Sequence, residues 1–260
     1  MIFRRFAQRF RQQQWGAIAT ELVIVIIGVF IGMQVTNWNE ERETNQRAAV
    51  FTAHLKTDLR EEDWRYQLIL QYSREVRANA ERALAGLEER APVDDETLMI
   101  SAYRASQYMN LVRTRATYDE LISTGAIALI RDQALRDTAM RVYNDATIIN
   151  LVREGMDSRY RAAFRMAVPL AVQRALGRHC GDRLGTVGDY SAIEGVLDYP
   201  CKPGLSARAL HEAAAALRGN PAVVPALRKR IVDLDTRITN LTVTNKRVLD
   251  ELRSVAGQTP

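Results

Sequence analysis

The chain has 260 residues, 47% of them hydrophobic, and a formal charge of +5. That is enough apolar material for a packed core and is not the composition of a disordered chain. Arg4, Arg5, Arg9 and Arg11, with no acid before Gly16, carry nearly all of the basic excess. A nucleic-acid reader would concentrate its cations on the folded domain instead, so a nucleic-acid partner is not expected.

The first predicted element follows this basic arm. From Ala17 to Val35 only Thr20, Glu21 and Gln34 interrupt an apolar run, and Leu22 to Met33 is unbroken. As a helix, Trp15 to Trp38 would span roughly 35 Å, enough to cross a bilayer of about 30 Å with an indole near each interface. A signal peptide shares this layout, but no small-x-small cleavage site follows the run. The reading is an uncleaved anchor in a bacterial inner membrane. Residues 1–16 form a cytoplasmic arm, 17–36 a transmembrane helix, and 37–260 a helical extracytoplasmic (periplasmic) domain.

Glu21 lies about one turn inside the span, where it can snorkel or pair with an arginine; a proton-relay role is the functional alternative. Gly28 and Gly32 make a GxxxG step, a weak signal for close helix approach. Asn37, Trp38, Asn39 and Glu40 read with Trp15 as an interfacial cluster, the indoles at headgroup depth and the amides and carboxylate in water.

Beyond the span the pattern stays helical. Leu55, Leu59, Tyr66, Ile69, Val76, Ala80 and Leu87 recur at steps of three, four or seven, with Glu62, Ser73 and Ala83 in the gaps. No Gly or Pro stands between Gly32 and Gly86, so one rod of about 70 residues is expected, ended by Ala91-Pro92. The next helix should start near Asp94, with Asp95 and Glu96 in its first turn, and run to Leu111. "TRATYDELISTG" reads as a short helix capped by Gly125, with Tyr118, Leu121 and Ile122 as core residues. Residues 128–168 read as one long amphipathic helix loosened at Gly155.

Residues 177–204, rich in Gly and Pro, form an irregular loop holding both cysteines. In an oxidising compartment Cys180 and Cys201 are a disulfide pair worth roughly 3 kcal/mol; two free thiols are the alternative. A zinc reading with His179 lacks a fourth ligand and paired spacing. The last helix carries a seam of alternating four- and three-residue steps: Leu227, Ile231, Leu234, Ile238, Leu241, Asn245, Val248 and Leu252. Its expected partner is the first rod or a second chain. Lysine occurs only at Lys56, Lys202, Lys229 and Lys246, which reads as codon usage and predicts nothing structural.

The fold class is therefore all-α: a membrane helix followed by a bundle of long, coiled-coil-like helices. No nucleophile elbow, phosphate loop, zinc-binding HExxH or dinucleotide turn is present, and neither catalytic residues, metal nor cofactor are expected. His54 and His211 stand alone.

"TELVIVIIGVFIGMQVTNWNEER" and "TYDELISTGAIALIRDQALRDTAMRVYND" resemble two recurring segments of a family of bacterial single-span membrane proteins. Together they cover about a fifth of the chain. The resemblance implies location and architecture and brings no activity or catalytic residue with it. The leading expectation is a non-enzymatic anchor whose partners are the bilayer and either another protein or a second copy. Gly16 followed by "AIATE" leaves two alternatives: a pilin-like subunit cleaved after Gly16, and a stator-like subunit using Glu21.

Overall fold

The computed structural model describes residues 15–183 and 185–257, with side chains from residue 19 onward. Its first element, α1 (Trp15–Leu87), is a single helix of 73 residues, about 110 Å long. Neither proline nor a mid-rod glycine breaks it between Gly32 and Gly86. Its ion pairs four residues apart, Glu43 with Arg47, Glu61 with Arg65 and Arg77 with Glu81, support the surface turns. The rod stops where Glu89 takes a left-handed φ of 57°, letting the Arg90 amide close onto the Ala85 carbonyl.

Among the described residues, nine further α-helices wrap the distal part of this rod. They are α2 (Asp95–Ala105), α3 (Ala116–Ser123), α4 (Gln133–Asn144), α5 (Thr147–Met156), α6 (Arg159–Ala167), α7 (Leu170–Cys180), α8 (Ala207–Arg218), α9 (Val223–Thr239) and α10 (Lys246–Ala256). Among the described residues there is no strand. Three apolar clusters stack along α1, and each includes its residues. Leu55, Leu59, Tyr66 and Ile69 meet α3, α4, α5 and α10. Trp64, Leu68, Tyr72 and Val76 meet Met109, Leu234 and the loop residues Ile193, Val196 and Leu197. Ala80 and Ala83 meet α2, α6, α7, α8 and the start of α9.

Local signals hold at several ends. Asp94 caps α2 by accepting from the Thr97 amide at 2.8 Å. Gly125 adopts φ +71° after α3. Two expectations fail. First, α2 stops at Ala105 instead of running to Leu111, because the Ser106 hydroxyl and the Gln107 amide turn back onto the Tyr103 carbonyl.

Second, residues 128–168 are not one helix. A 3-10 turn (Ala126–Leu129) leads into α4, α5 and α6. Asp132 caps α4 and Ser158 caps α6, while the Asp145 carboxylate takes the Thr147 amide and hydroxyl between α4 and α5. Side chains that bond their own backbone offer it an alternative to the helix, and here they divide a continuous apolar periodicity into short pieces. Ile122 is likewise exposed on the outer side of its turn, whereas Tyr118 and Leu121 are buried.

The C-terminal seam also differs from a straight helix. Between α9 and α10 one π turn (Asn240–Thr244) shifts the register, with the Asn245 amide bonded to the Asn240 carbonyl. The Leu241 carbonyl accepts instead from the Tyr66 hydroxyl of α1 at 2.8 Å.

Candidate functional site

Three features are built enough to carry a role: the exposed start of α1, the groove beside it, and the disulfide loop fastened to its middle. Every apolar side chain from Leu22 to Val35 is 51–62% exposed, and among the described residues none packs on them. This stretch is long and apolar enough to cross a membrane. Glu21, Asn37, Trp38, Asn39 and Glu40 are exposed around it; the side chain of Trp15 lies outside the described residues. Coverage by the bundle begins at Asn45, whose side chain accepts from Arg131, about 10 Å along the helix from Trp38.

Just beyond that point, an open groove of about 730 Å³ separates α1 from α3 and its following turn. Val50, Phe51, Ala126 and Leu129 give it an apolar floor, and Gln46, Arg47 and Glu120 edge it.

The loop after α7 is fastened to α1 through side chains whose charges or polar atoms point inward. Glu75 accepts the amides of Gly195, Leu197 and Asp198 at 3.0, 2.8 and 2.9 Å. The Tyr190 hydroxyl donates to Asp63 at 2.7 Å, Tyr72 donates to Asp182 at 2.9 Å, and the Trp64 indole donates to the Asp189 carbonyl. Burial pushes the Asp63 and Asp182 carboxyls above their ordinary range, against the lowering effect of these tyrosines. Cys180 and Cys201 are joined, their Cα atoms 5.5 Å apart. Arg104 braces the closure by donating to the Cys180 and Tyr199 carbonyls. His179 is exposed, and among the described residues no three His, Cys, Asp or Glu side chains group as metal ligands.

The buried arginines are what sequence reasoning missed. Arg230 and Arg237 are 2% and 5% exposed, deeper than the seam residues Ile231 and Ile238, which are only half-buried. Leu227, Leu234, Leu241, Val248 and Leu252 of the seam are buried, and Asn245 is half-buried and donates to Thr147. Arg230 donates to the Gln107 carbonyl and Arg237 to that of Leu151. Burial, then the charge of Arg237, brings the Arg230 guanidinium down to about 10.

The same use recurs elsewhere. Arg113 donates to the Val142 and Asp145 carbonyls, Arg115 to Tyr143, and Arg161 to Ser106. These carbonyls lie where helices stop, and the planar fork of arginine reaches them as a compact ammonium group cannot. The arginine bias therefore has structural work in this fold. A second three-four series, Val223, Leu227, Arg230, Leu234, Arg237 and Leu241, was legible beside the apolar one. In the first cluster Glu62 holds both Arg65 at 3.1 Å and Arg113 at 2.8 Å. A small cavity of about 10 Å³ beside them is about the size of a single water.

A family model matches residues 21–156, just over half of the chain. The chain belongs to DUF6090, a family of unknown function. The DUF6090 match takes in the exposed apolar stretch, the groove and the Glu62 centre, and stops at the end of α5. The disulfide loop and α9–α10 lie outside it. No curated protein and no solved structure matches the chain.

Proposed function

We propose that this chain is a single-span protein of a bacterial inner membrane, with its arm in the cytoplasm and its bundle in the periplasm, serving interaction or sensing and not catalysis. The observation that carries the reading is the division of one helix into two environments. Leu22 to Val35 are bare, while Leu55 to Ala83 form the spine of three apolar clusters. A bare aliphatic stretch of this length is stable in hydrocarbon and a liability in water.

The same continuity supports a sensing role. With no proline or loop between bundle and span, a displacement of the bundle is carried along α1 to the apolar stretch. The seam supplies the grip: α9 and α10 pack in coiled-coil-like fashion on that rod.

The test is fractionation of cells expressing the full chain, with carbonate extraction and labelling of single added cysteines from either side of the membrane. The protein should stay in the membrane pellet and label at residues beyond 37 only from the periplasmic side. Release by carbonate, or labelling of the bundle from the cytoplasm, overturns the reading. An intact mass retaining the residues before Gly16 completes it, whereas a chain beginning at Ala17 would make the protein a processed, pilin-like subunit.

A further inference from the structure

From Glu62 to Val76 only Arg74 of α1 is exposed, and one of the covers on this stretch is the disulfide loop. Trp64, Leu68, Tyr72 and Val76 recur every four residues as one slowly winding stripe, and Ile193, Val196 and Leu197 of the loop lie on it beside Met109 and Leu234. The rest of the loop's hold is polar: Tyr190 on Asp63, Tyr72 on Asp182, the Trp64 indole on the Asp189 carbonyl, and three amides on Glu75. Among the described residues between Cys180 and Cys201 the regular structure is a single 3-10 turn, Tyr190–Ala192. A cover with so few apolar side chains, and latches that water can replace, belongs to the low-stability end of a fold. What closes it into a strap is the Cys180–Cys201 bond at its base.

The base of the strap is equipped for thiol exchange. Cys180 is fully buried and Cys201 half-buried, so Cys201 is the half of the bond that a thiol reaches first. The buried Arg104 guanidinium sets Nη2 at 3.5 Å from Cys201 Sγ and pairs Nη1 with Asp198 at 3.3 Å. A fixed cation beside a sulfur favours its thiolate, and a stabilised thiolate leaves faster. We propose that the Cys180–Cys201 loop is a redox-operated strap, which a dithiol reductant opens to uncover the α1 stripe beneath it. This rests on the sensing role proposed above and names the condition sensed, the thiol–disulfide state of the compartment that holds the bundle. In the first step a reductant thiolate bonds to Cys201 Sγ, the Cys180–Cys201 bond breaks, and the Cys180 sulfur leaves with the electron pair and takes up a proton. The reductant's second thiolate then attacks the reductant sulfur of the mixed disulfide, and Cys201 leaves as a thiolate beside Arg104. The protein gains two electrons as the dithiol becomes a disulfide. With its base open, the strap is tied to α1 by its latches alone.

The experiment uses the full chain in detergent with Trp15→Phe and Trp38→Phe, which leaves Trp64 as the one remaining indole. Dithiothreitol without denaturant should make both cysteines alkylatable and shift the Trp64 emission to the red. Residues 185–200 should lose amide protection about tenfold or more, while Leu55, Leu59 and α10 keep theirs. Cys180→Ser with Cys201→Ser should show the open strap before any reductant is added and respond to none. Arg104→Gln should slow reduction at fixed pH, because the leaving thiolate loses its cation. Were Arg104 a brace alone, its loss would expose the sulfurs and speed the reaction.

Free thiols in the untreated chain, a disulfide that opens only as α10 also loses protection, a reduced chain whose Trp64 stays buried, or faster reduction in Arg104→Gln overturns the proposal. A strap that stays closed in a chain resisting carbonate extraction refutes the switch and leaves the anchor reading standing. A strap that opens in a chain released by carbonate does the reverse.

Discussion

Glu75 offers the sharpest test of how the disulfide loop is held. One buried carboxylate accepts three loop amides, from Gly195, Leu197 and Asp198, and a fourth contact from the Gln71 amide at 3.2 Å. Replacing it in Glu75→Ala removes all of them. Hydrogen bonds to a charged group contribute about 1.5–3 kcal/mol each when buried. The Gly195 and Asp198 amides are only part-buried and regain water when freed, so about 1 kcal/mol for each of the three loop amides is the better figure. The expected loss is therefore about 3 kcal/mol, or roughly a hundredfold rise in local opening.

Global unfolding should respond less than that, since Cys180–Cys201, Arg104 and Trp64 still fasten the loop. Amide hydrogen exchange of the full chain in detergent resolves the difference, because it reads opening residue by residue. Residues 195–198 should lose protection while α1 at Leu55–Ile69 keeps it. Unchanged protection at 195–198 would falsify the view that this carboxylate fastens the loop.

Four other outcomes follow from named contacts. Tyr66→Phe strands the Leu241 carbonyl of the π turn and should lower stability by about 1–2 kcal/mol in chemical denaturation; no loss means the hydroxyl is not what satisfies that turn. Glu89→Gly relieves a left-handed backbone at an exposed helix end and should add about 1 kcal/mol, whereas a destabilised variant contradicts the strain argument. Reducing Cys180–Cys201 opens a loop of 21-residue separation and should lower stability by about 3 kcal/mol, read as a drop in melting temperature.

The pH dependence comes from Asp63 and Asp182, whose carboxyls burial raises above 3.8. A raised carboxyl binds its proton more tightly in the folded chain. Its stabilising contribution is thus present at low pH and lost as pH rises through the raised value. Loop protection should fall on going from acid toward neutral, and Asp63→Asn with Asp182→Asn should flatten the slope. An identical slope in the double variant would refute that assignment.

Much of the architecture was legible because its causes are local. The 3.6-residue periodicity of Leu55 to Leu87 and the lack of breakers from Gly32 to Gly86 required one long rod, and Asp94 and Gly125 mark their ends by chemistry confined to a few neighbours. The groove and the Glu75 site were not legible, because each joins segments distant in the chain: α1 with residues 120–129, and α1 with residues 195–198. The depth of Arg230 was hidden too, since a guanidinium is buried only where a carbonyl such as that of Gln107 stands ready to receive it.

By itself, then, the sequence determined the helical class, the bare apolar stretch and the length of α1, through propensity and periodicity. Local caps at Asp132, Asp145 and Ser158 divide residues 128–168, whereas only tertiary structure decided which face of α9 turns inward and what the loop grips. Arginines and carboxylates distant in the chain satisfy backbone groups there, as Arg237 does for the Leu151 carbonyl and Glu75 for the Leu197 amide.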